Sequence, residues 1–81
     1  MRAEQCKAGT RFVYVGANKV FKGHVGTISE TYDKTKDEYV KVTFDEAVGG
    51  RRSWHTTTRE IKRHEIPRLI SFEEFIEGGA L

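Results

Sequence analysis

Short runs of alternating apolar and polar residues, separated by turn residues, occupy the chain from Arg11 onward. The alternation is clearest in residues 38–44, where Val40, Val42 and Phe44 lie on one side of the segment. A period of two is typical of a β-strand with one buried face. Four further segments of strand-forming composition lie at residues 11–15, 24–31, 52–57 and 61–66. The pattern therefore predicts five short strands.

Turn residues set the expected connections between these strands. Residues 32–37 form a charged loop between the second and third strands. Gly49-Gly50 predicts a two-residue hairpin, because both central residues of a type I′ turn need positive φ. One 3₁₀ turn is predicted at residues 58–60. Pro67 ends the fifth strand because proline has no amide hydrogen to donate to the ladder.

The final segment has a helical pattern. Ser71 and Glu74 have the spacing of a capping box, and Phe72, Phe75 and Ile76 share one face. We predict a short helix at about residues 71–78, stopped by Gly78-Gly79. Before it, the strands predict a small, partly open β-barrel over about residues 9–67, within a single domain of residues 1–81. An OB-type barrel is disfavoured, because residues 45–51 leave no room for its helix.

Alternation on the first strand predicts which way its aromatic side chains face, and two arrangements of these side chains remain open. If Val13 and Val15 face the core, Phe12 and Tyr14 lie outside, beside Tyr39. Outward aromatic side chains can form a binding platform. Alternatively, the C-terminal helix covers them, and the apolar face of that helix favours this second arrangement.

Composition then excludes several classes of protein. The chain has 81 residues, of which 37% are hydrophobic and 32% charged. Such a short chain has a thin core and no stability to spare for a deep catalytic cavity, so a binding module is favoured over an enzyme. Cys6 is the single cysteine and excludes an internal disulfide, so we expect a reducing, cytoplasmic compartment. No apolar run approaches the roughly 18 residues of a membrane span, and no membrane partner is expected.

Charge is unevenly distributed along the chain. Residues 1–68 hold fourteen Lys and Arg against nine Asp and Glu, which is a net charge of +5. Residues 69–81 hold only Glu73, Glu74 and Glu77, a net charge of −3. The overall +2 therefore combines a basic body with an acidic C-terminal segment. A basic body suits a polyanionic partner, although a solvated surface is the ordinary alternative.

Two sets of residues are candidates for binding nucleic acid. The first is Lys19, Phe21, Lys22 and His24, in which lysine neutralises phosphate and an exposed phenylalanine stacks on a base. The alternative for Phe21 is a place in the core at the open end of the barrel. The second set is Arg51, Arg52 and Trp54, with His55 beside them, in which the arginines fork onto phosphate and Trp54 stacks. The alternative for Trp54 is a core or rim position.

Catalytic and metal sites are not predicted. Cys6, His24, His55 and His64 lack C-x-x-C or H-x₃₋₅-H spacing, and we expect Cys6 to lie in a frayed terminus. The chain carries no phosphate-binding glycine loop and no cofactor fingerprint. We therefore predict a non-enzymatic protein with no metal and no cofactor.

One stretch resembles a known family. Val13-Tyr14-Val15, followed by Lys22-Gly23-His24-Val25-Gly26-Thr27-Ile28, resembles the KOW motif of the Src-homology-3-like and Tudor-like superfamily. That motif joins a V-x-V strand through a loop to K-G-x-x-G-x-V/I. Gly23 permits the chain reversal, and Gly26 permits close approach where the sheet bends. The resemblance implies a mainly β fold, a five-stranded Src-homology-3-like small barrel, to which the helix is appended.

The resemblance also implies a function. Proteins with this motif are typically transcription elongation factors, antitermination factors and ribosomal proteins. We therefore predict a module that binds RNA or DNA backbone, as an accessory to transcription or translation. The alternative is a protein-docking module on a multi-subunit complex such as RNA polymerase or the ribosome, with Phe21 and Trp54 as apolar anchors. We expect a monomer or a weak homodimer, associating through a strand edge or the helix.

Overall fold

Five antiparallel strands form one sheet in the computed structural model, which describes residues 1–49 and 56–78. The strands are β1 (Arg11–Tyr14), β2 (Val25–Ile28), β3 (Tyr39–Val48), β4 (Thr56–Lys62) and β5 (Leu69–Ser71). The other elements within these described ranges are two 3₁₀ segments, Ala3–Gln5 and Arg63–Arg68, and the helix α1 (Phe72–Gly78). The strand order is β4-β3-β2-β1-β5, and the sheet is not closed. A mainly β fold with a short C-terminal helix is thus confirmed.

The fourth and fifth strands lie later in the chain than predicted. β4 runs through residues 58–60, where a 3₁₀ turn was expected, and the 3₁₀ segment instead contains Pro67. The ladder continues because Ile61 pairs with Val40, and both side chains are fully buried. A turn at residues 58–60 would have removed this contact from the core. The prediction of a fifth strand over 61–66 is therefore wrong.

The connection between β3 and β4 is longer than a two-residue hairpin. Val48 pairs with Thr56, so residues 49–55 join the two strands. The ladder also has a register shift between Thr43 and Val48. The two-residue hairpin at Gly49-Gly50 is therefore wrong. Residues 52–55 of the predicted fourth strand, and Gly50, lie outside the described residues.

The orientation of β1 is opposite to the prediction. Phe12 and Tyr14 are fully buried members of the hydrophobic core, whereas Tyr39 is 42% exposed, so the favoured arrangement, in which the C-terminal helix covers all three rings, is wrong. Phe12 pairs with Gly26, and a β-carbon on that glycine would lie 2.8 Å from the Phe12 Cζ atom. The space left by the missing side chain is therefore what admits the ring. Val13, on the other face of β1, is also buried, and α1 packs against β1 and β5.

The core cluster extends across the sheet and into the flanking segments. Its members are Cys6, Phe12, Tyr14, Phe21, Ile28, Tyr32, Val40, Val42, Phe44, Val48, Ile61, Ile66 and Leu69. The expected charged loop at residues 32–37 is present between β2 and β3, but its first residue, Tyr32, is buried. Loop segments therefore supply part of the core of this thin domain.

The N-terminal segment is packed, so the prediction of a frayed terminus is wrong. The Met1 ammonium donates a hydrogen bond to the Leu69 carbonyl oxygen at 2.6 Å. The Cys6 carbonyl oxygen accepts a hydrogen bond from the Tyr32 amide at 2.9 Å. Cys6 is fully buried, and burial raises the pKa of its thiol.

The C-terminal helix begins as predicted. The Glu74 amide donates a hydrogen bond to the Ser71 hydroxyl oxygen at 3.2 Å, which is the N-cap half of the expected capping box. Because Ser71 pairs with Phe12, α1 starts at the end of the sheet where β1 also starts. The Arg11 guanidinium carbon lies 5.7 Å from the centre of the Phe72 ring. Ile76 projects from the helix and is 61% exposed.

Candidate nucleic-acid interface

The β1–β2 connection carries the first candidate set and is held by its own backbone. The Asn18 carbonyl oxygen accepts hydrogen bonds from the amides of Phe21 (3.1 Å) and Lys22 (3.0 Å). The Asn18 side-chain oxygen accepts another from the Val20 amide at 3.0 Å. Asparagine commonly stabilises a turn in this way. The loop therefore has a defined conformation between its two strands.

Gly23 closes this loop, as its position in the motif predicts. Its φ of 81° lies in the left-handed region that glycine adopts without steric cost. Its amide donates a hydrogen bond to the Tyr14 carbonyl oxygen at 2.9 Å, and the Tyr14 amide donates one to the His24 carbonyl oxygen at 3.1 Å. The chain thus reverses at Gly23 and re-enters the sheet.

Lys19 and Lys22 extend from this ordered loop into solvent. Both side chains are exposed, and within the part of the chain that the structure describes neither has an ion-pair partner. Arg68 is a third exposed cation of this kind, and its carbonyl oxygen accepts a hydrogen bond from the Val15 amide at 2.9 Å. We call Lys19, Lys22 and Arg68 the basic loop surface. Arg68 was not among the candidates, because only the β1–β5 pairing brings it here.

Phe21 belongs to the core. It is 9% exposed, and its ring stacks on that of Phe44 with 5.4 Å between centroids. Tyr14 meets it edge-on at 5.5 Å. Burial was the alternative arrangement for Phe21, and the expectation of an exposed aromatic ring is wrong. The physical reason is that the loop folds its one large aromatic residue inward over the thin sheet.

Arg59 connects this loop to the far strands. Its guanidinium carbon lies 5.8 Å from the centre of the Phe21 ring, and its Nη2 group donates a hydrogen bond to the Val48 carbonyl oxygen. Its Nε atom is buried and has no hydrogen-bond partner among the described residues. The side chain therefore spans from β4 to the ends of β3 and the β1–β2 loop.

His24 lies beside two acidic residues of β3. It is half-buried, and its ring meets Phe44 edge-on at 6.1 Å. Together with Asp45 and Glu46 it lines a cavity of about 190 Å³. Arg11 holds the Asp45 carboxylate through two hydrogen bonds of 2.6 and 2.7 Å, and these lower the pKa of Asp45. The nearby carboxylates make the surroundings of His24 less suited to phosphate.

The second candidate set lies outside the described residues. Its members are Arg51, Arg52 and Trp54, and the structure describes only the strands before and after them in the chain. Gly26 pairs with Phe44, and β3 then continues to Val48. The end of β3 therefore lies at the same end of the sheet as the β1–β2 loop.

Tyr14 attaches the loop region to the second 3₁₀ segment. Its hydroxyl group donates a hydrogen bond to the Glu65 carboxylate at 2.6 Å, and accepts one from the Asn18 amide at 3.4 Å. Burial, followed by the bond to Glu65, raises the pKa of Tyr14. Glu65 is therefore engaged with the tyrosine beneath the basic loop surface.

Metal and membrane features do not add to the site. Among residues 1–49 and 56–78, no three His, Cys, Asp or Glu side chains are grouped so as to hold a metal ion. No helix in those same ranges has both the length and the apolar character required to cross a membrane.

Comparison of the chain with protein-family models, curated proteins and solved structures finds no match. A functional proposal therefore depends on residues and geometry.

Proposed function

We propose that this protein is a non-enzymatic nucleic-acid-associated module that binds RNA or DNA backbone through the basic loop surface. The observation that carries the proposal is the set of three exposed cations on one ordered loop and its neighbour, none of them paired among the described residues. Paired cations are already neutralised, whereas unpaired ones can neutralise phosphates and displace the counterions condensed on the nucleic acid. Lys19, Lys22 and Arg68 are therefore the residues that contact the backbone.

The fold supports a Src-homology-3-like, KOW or Tudor-like barrel as the architecture of this module. The strand order β4-β3-β2-β1-β5 and the 3₁₀ segment between β4 and β5 are compatible with it. Gly23 has the positive φ that the motif needs, and Gly26 lies against Phe12 as a close approach requires. The strand order and the 3₁₀ segment support the resemblance independently of the motif, and the two glycines have the geometry that the motif needs.

The burial of Phe21 defines the kind of contact. With its ring in the core, the basic loop surface offers charge to phosphates and no aromatic face to bases. Binding through it is then independent of base sequence, which suits an accessory to transcription or translation.

A titration with labelled oligonucleotides tests the proposal. Single-stranded and duplex RNA and DNA are titrated at about 50 and about 200 mM salt, because three to four phosphate contacts weaken binding about a hundredfold over that range. The variant Lys19→Gln/Lys22→Gln should bind more weakly and reduce the salt slope by about two. The variant Lys7→Gln/Lys36→Gln is a control of equal net charge with two other exposed lysines removed.

The outcomes separate the proposal from its rivals. Absence of binding at the lower salt concentration contradicts it, and so does equal weakening by both double variants. The protein-docking alternative has less support, because the burial of Phe21 removes one of its two expected anchors. Binding to a polymerase or ribosome that survives the loss of both lysines would favour that alternative.

A further inference from the structure

Two exposed apolar side chains each have charged residues of a single sign close to them in the chain. Val20 is 40% exposed and lies on the loop between Lys19 and Lys22. Ile76 is 61% exposed and lies on α1 beside Glu77, one helical turn from Glu73. Each side chain is an exposed apolar group, and the charged residues next to it in the chain are basic at Val20 and acidic at Ile76.

Both sets of charges are available for an external partner. The carboxylates of Glu73, Glu74 and Glu77 are exposed, and none has an ion-pair partner among the described residues. We call Ile76 with these three glutamates the acidic helix surface. The three cations of the basic loop surface also have no ion-pair partner among the described residues. The chain therefore carries two surfaces of complementary charge.

The two surfaces are attached to opposite ends of the sheet. The β1–β2 loop leaves β1 after Tyr14, whereas α1 begins where β5 pairs with Phe12, near the start of β1. The Arg11 side chain, at that start, lies against Phe72 of the helix. The first turn of the helix is therefore separated from the loop by the length of β1.

We propose that copies of this chain associate head to tail, with the acidic helix surface of one copy on Val20 and the basic loop surface of the next. Complementary charge sets the orientation, and Ile76 and Val20 supply the apolar contact. A symmetric dimer through either surface would place like charges together. Contact between two unlike surfaces leaves one of each unoccupied, so it propagates or closes into a ring.

Sedimentation velocity on the full chain without nucleic acid tests this association, and it does not depend on the proposed function. At about 50 mM salt, where the Debye length exceeds 10 Å, the average mass should rise with protein concentration. At about 500 mM salt the protein should return to the mass of one chain, 9.3 kDa. A protein that stays at 9.3 kDa at low salt at every concentration overturns the proposal.

Two variants identify the surfaces by complementation. Val20→Ser/Lys22→Gln removes the basic side of the contact, and Ile76→Ser/Glu77→Gln removes the acidic side. Each alone should remain a monomer, because every contact needs both surfaces. Mixed in equal amounts, they should form a dimer and no larger species, since each contributes one intact surface.

A third variant and the failure of complementation complete the test. Tyr39→Ser alters an exposed aromatic side chain outside both surfaces and should associate as the unmodified chain does. Association that persists in either double variant places the interface elsewhere, for example at the edge of β4, and overturns the proposal. Two monomeric variants that do not combine when mixed also overturn it.

Discussion

The rings of Phe21 and Phe44 stack with their centroids 5.4 Å apart and their planes inclined by 24°. Phe21 lies on the β1–β2 loop, whereas Phe44 lies on β3, the strand that pairs with β2. The contact therefore fixes the loop over the sheet and holds Lys19 and Lys22 in place. A core residue thereby positions the candidate interface.

Replacing Phe21 with alanine should destabilise the protein by about 3 kcal/mol, because a large aromatic side chain leaves the core and a cavity remains. Urea unfolding measures the change. Val20→Ala at the neighbouring, exposed position is the matched control and should change the free energy of unfolding by less than about 0.5 kcal/mol. Equal effects of the two substitutions would show that Phe21 does not pack on Phe44.

The inward position of Phe12 shows why the core face of β1 was predicted the wrong way round. In Arg11 to Val15 every residue after the first is apolar, so alternation alone does not identify the buried face. The decisive neighbour is Gly26, which pairs with Phe12 and leaves room for its ring. That information lies on another strand and depends on register, which a local pattern does not contain.

Gly26→Ala should destabilise the protein by about 1–3 kcal/mol, because the added methyl group overpacks the core. It would meet Phe12 Cζ at 2.8 Å and the Thr43 carbonyl oxygen at 3.0 Å. Thermal or urea unfolding of the single variant measures the loss. The double variant Gly26→Ala/Phe12→Leu should lose about 1 kcal/mol less free energy of unfolding than the sum of the losses in the two single variants. Strict additivity would contradict the contact between these residues.

The candidate interface was predictable in part. Lys19 and Lys22 follow from the loop composition and the motif, and the structure places both in solvent. Arg68 carries no local signal, because its place beside the loop results from the pairing of β5 with β1. The buried Cys6 was missed for the same reason, since its neighbour Tyr32 is 26 residues away in the chain. Contacts of long range are what local patterns omit.

The hydrogen bond from Tyr14 to Glu65 should make stability sensitive to alkaline pH. The pKa of Tyr14 is raised in the folded protein, so its contribution is complete below the ordinary tyrosine pKa of about 10. It is then lost as the pH rises through the higher folded value. The free energy of unfolding should therefore fall more steeply above about pH 10 in the unmodified protein than in Tyr14→Phe.

Comparison of these two proteins from pH 7 to 11 isolates the effect of Tyr14, because other titrating groups are common to both. At neutral pH, Tyr14→Phe should be less stable by about 1–2 kcal/mol, since Glu65 loses its donor. The difference should shrink as the pH rises. A difference that stays constant across the range would show that Tyr14 does not titrate differently in the folded state.

Cys6 should be protected from thiol reagents in the folded protein. Its side chain is fully buried, its sulfur lies 3.6 Å from that of Met1, and burial raises the pKa of the thiol, which lowers the reactive thiolate fraction. An opening free energy of about 3 kcal/mol would slow labelling about a hundredfold, and urea should restore the rate. An exposed thiol, Lys36→Cys in a Cys6→Ala background, is the control. Equal rates for Cys6 and this control would mean that the N-terminal segment is not packed on the core.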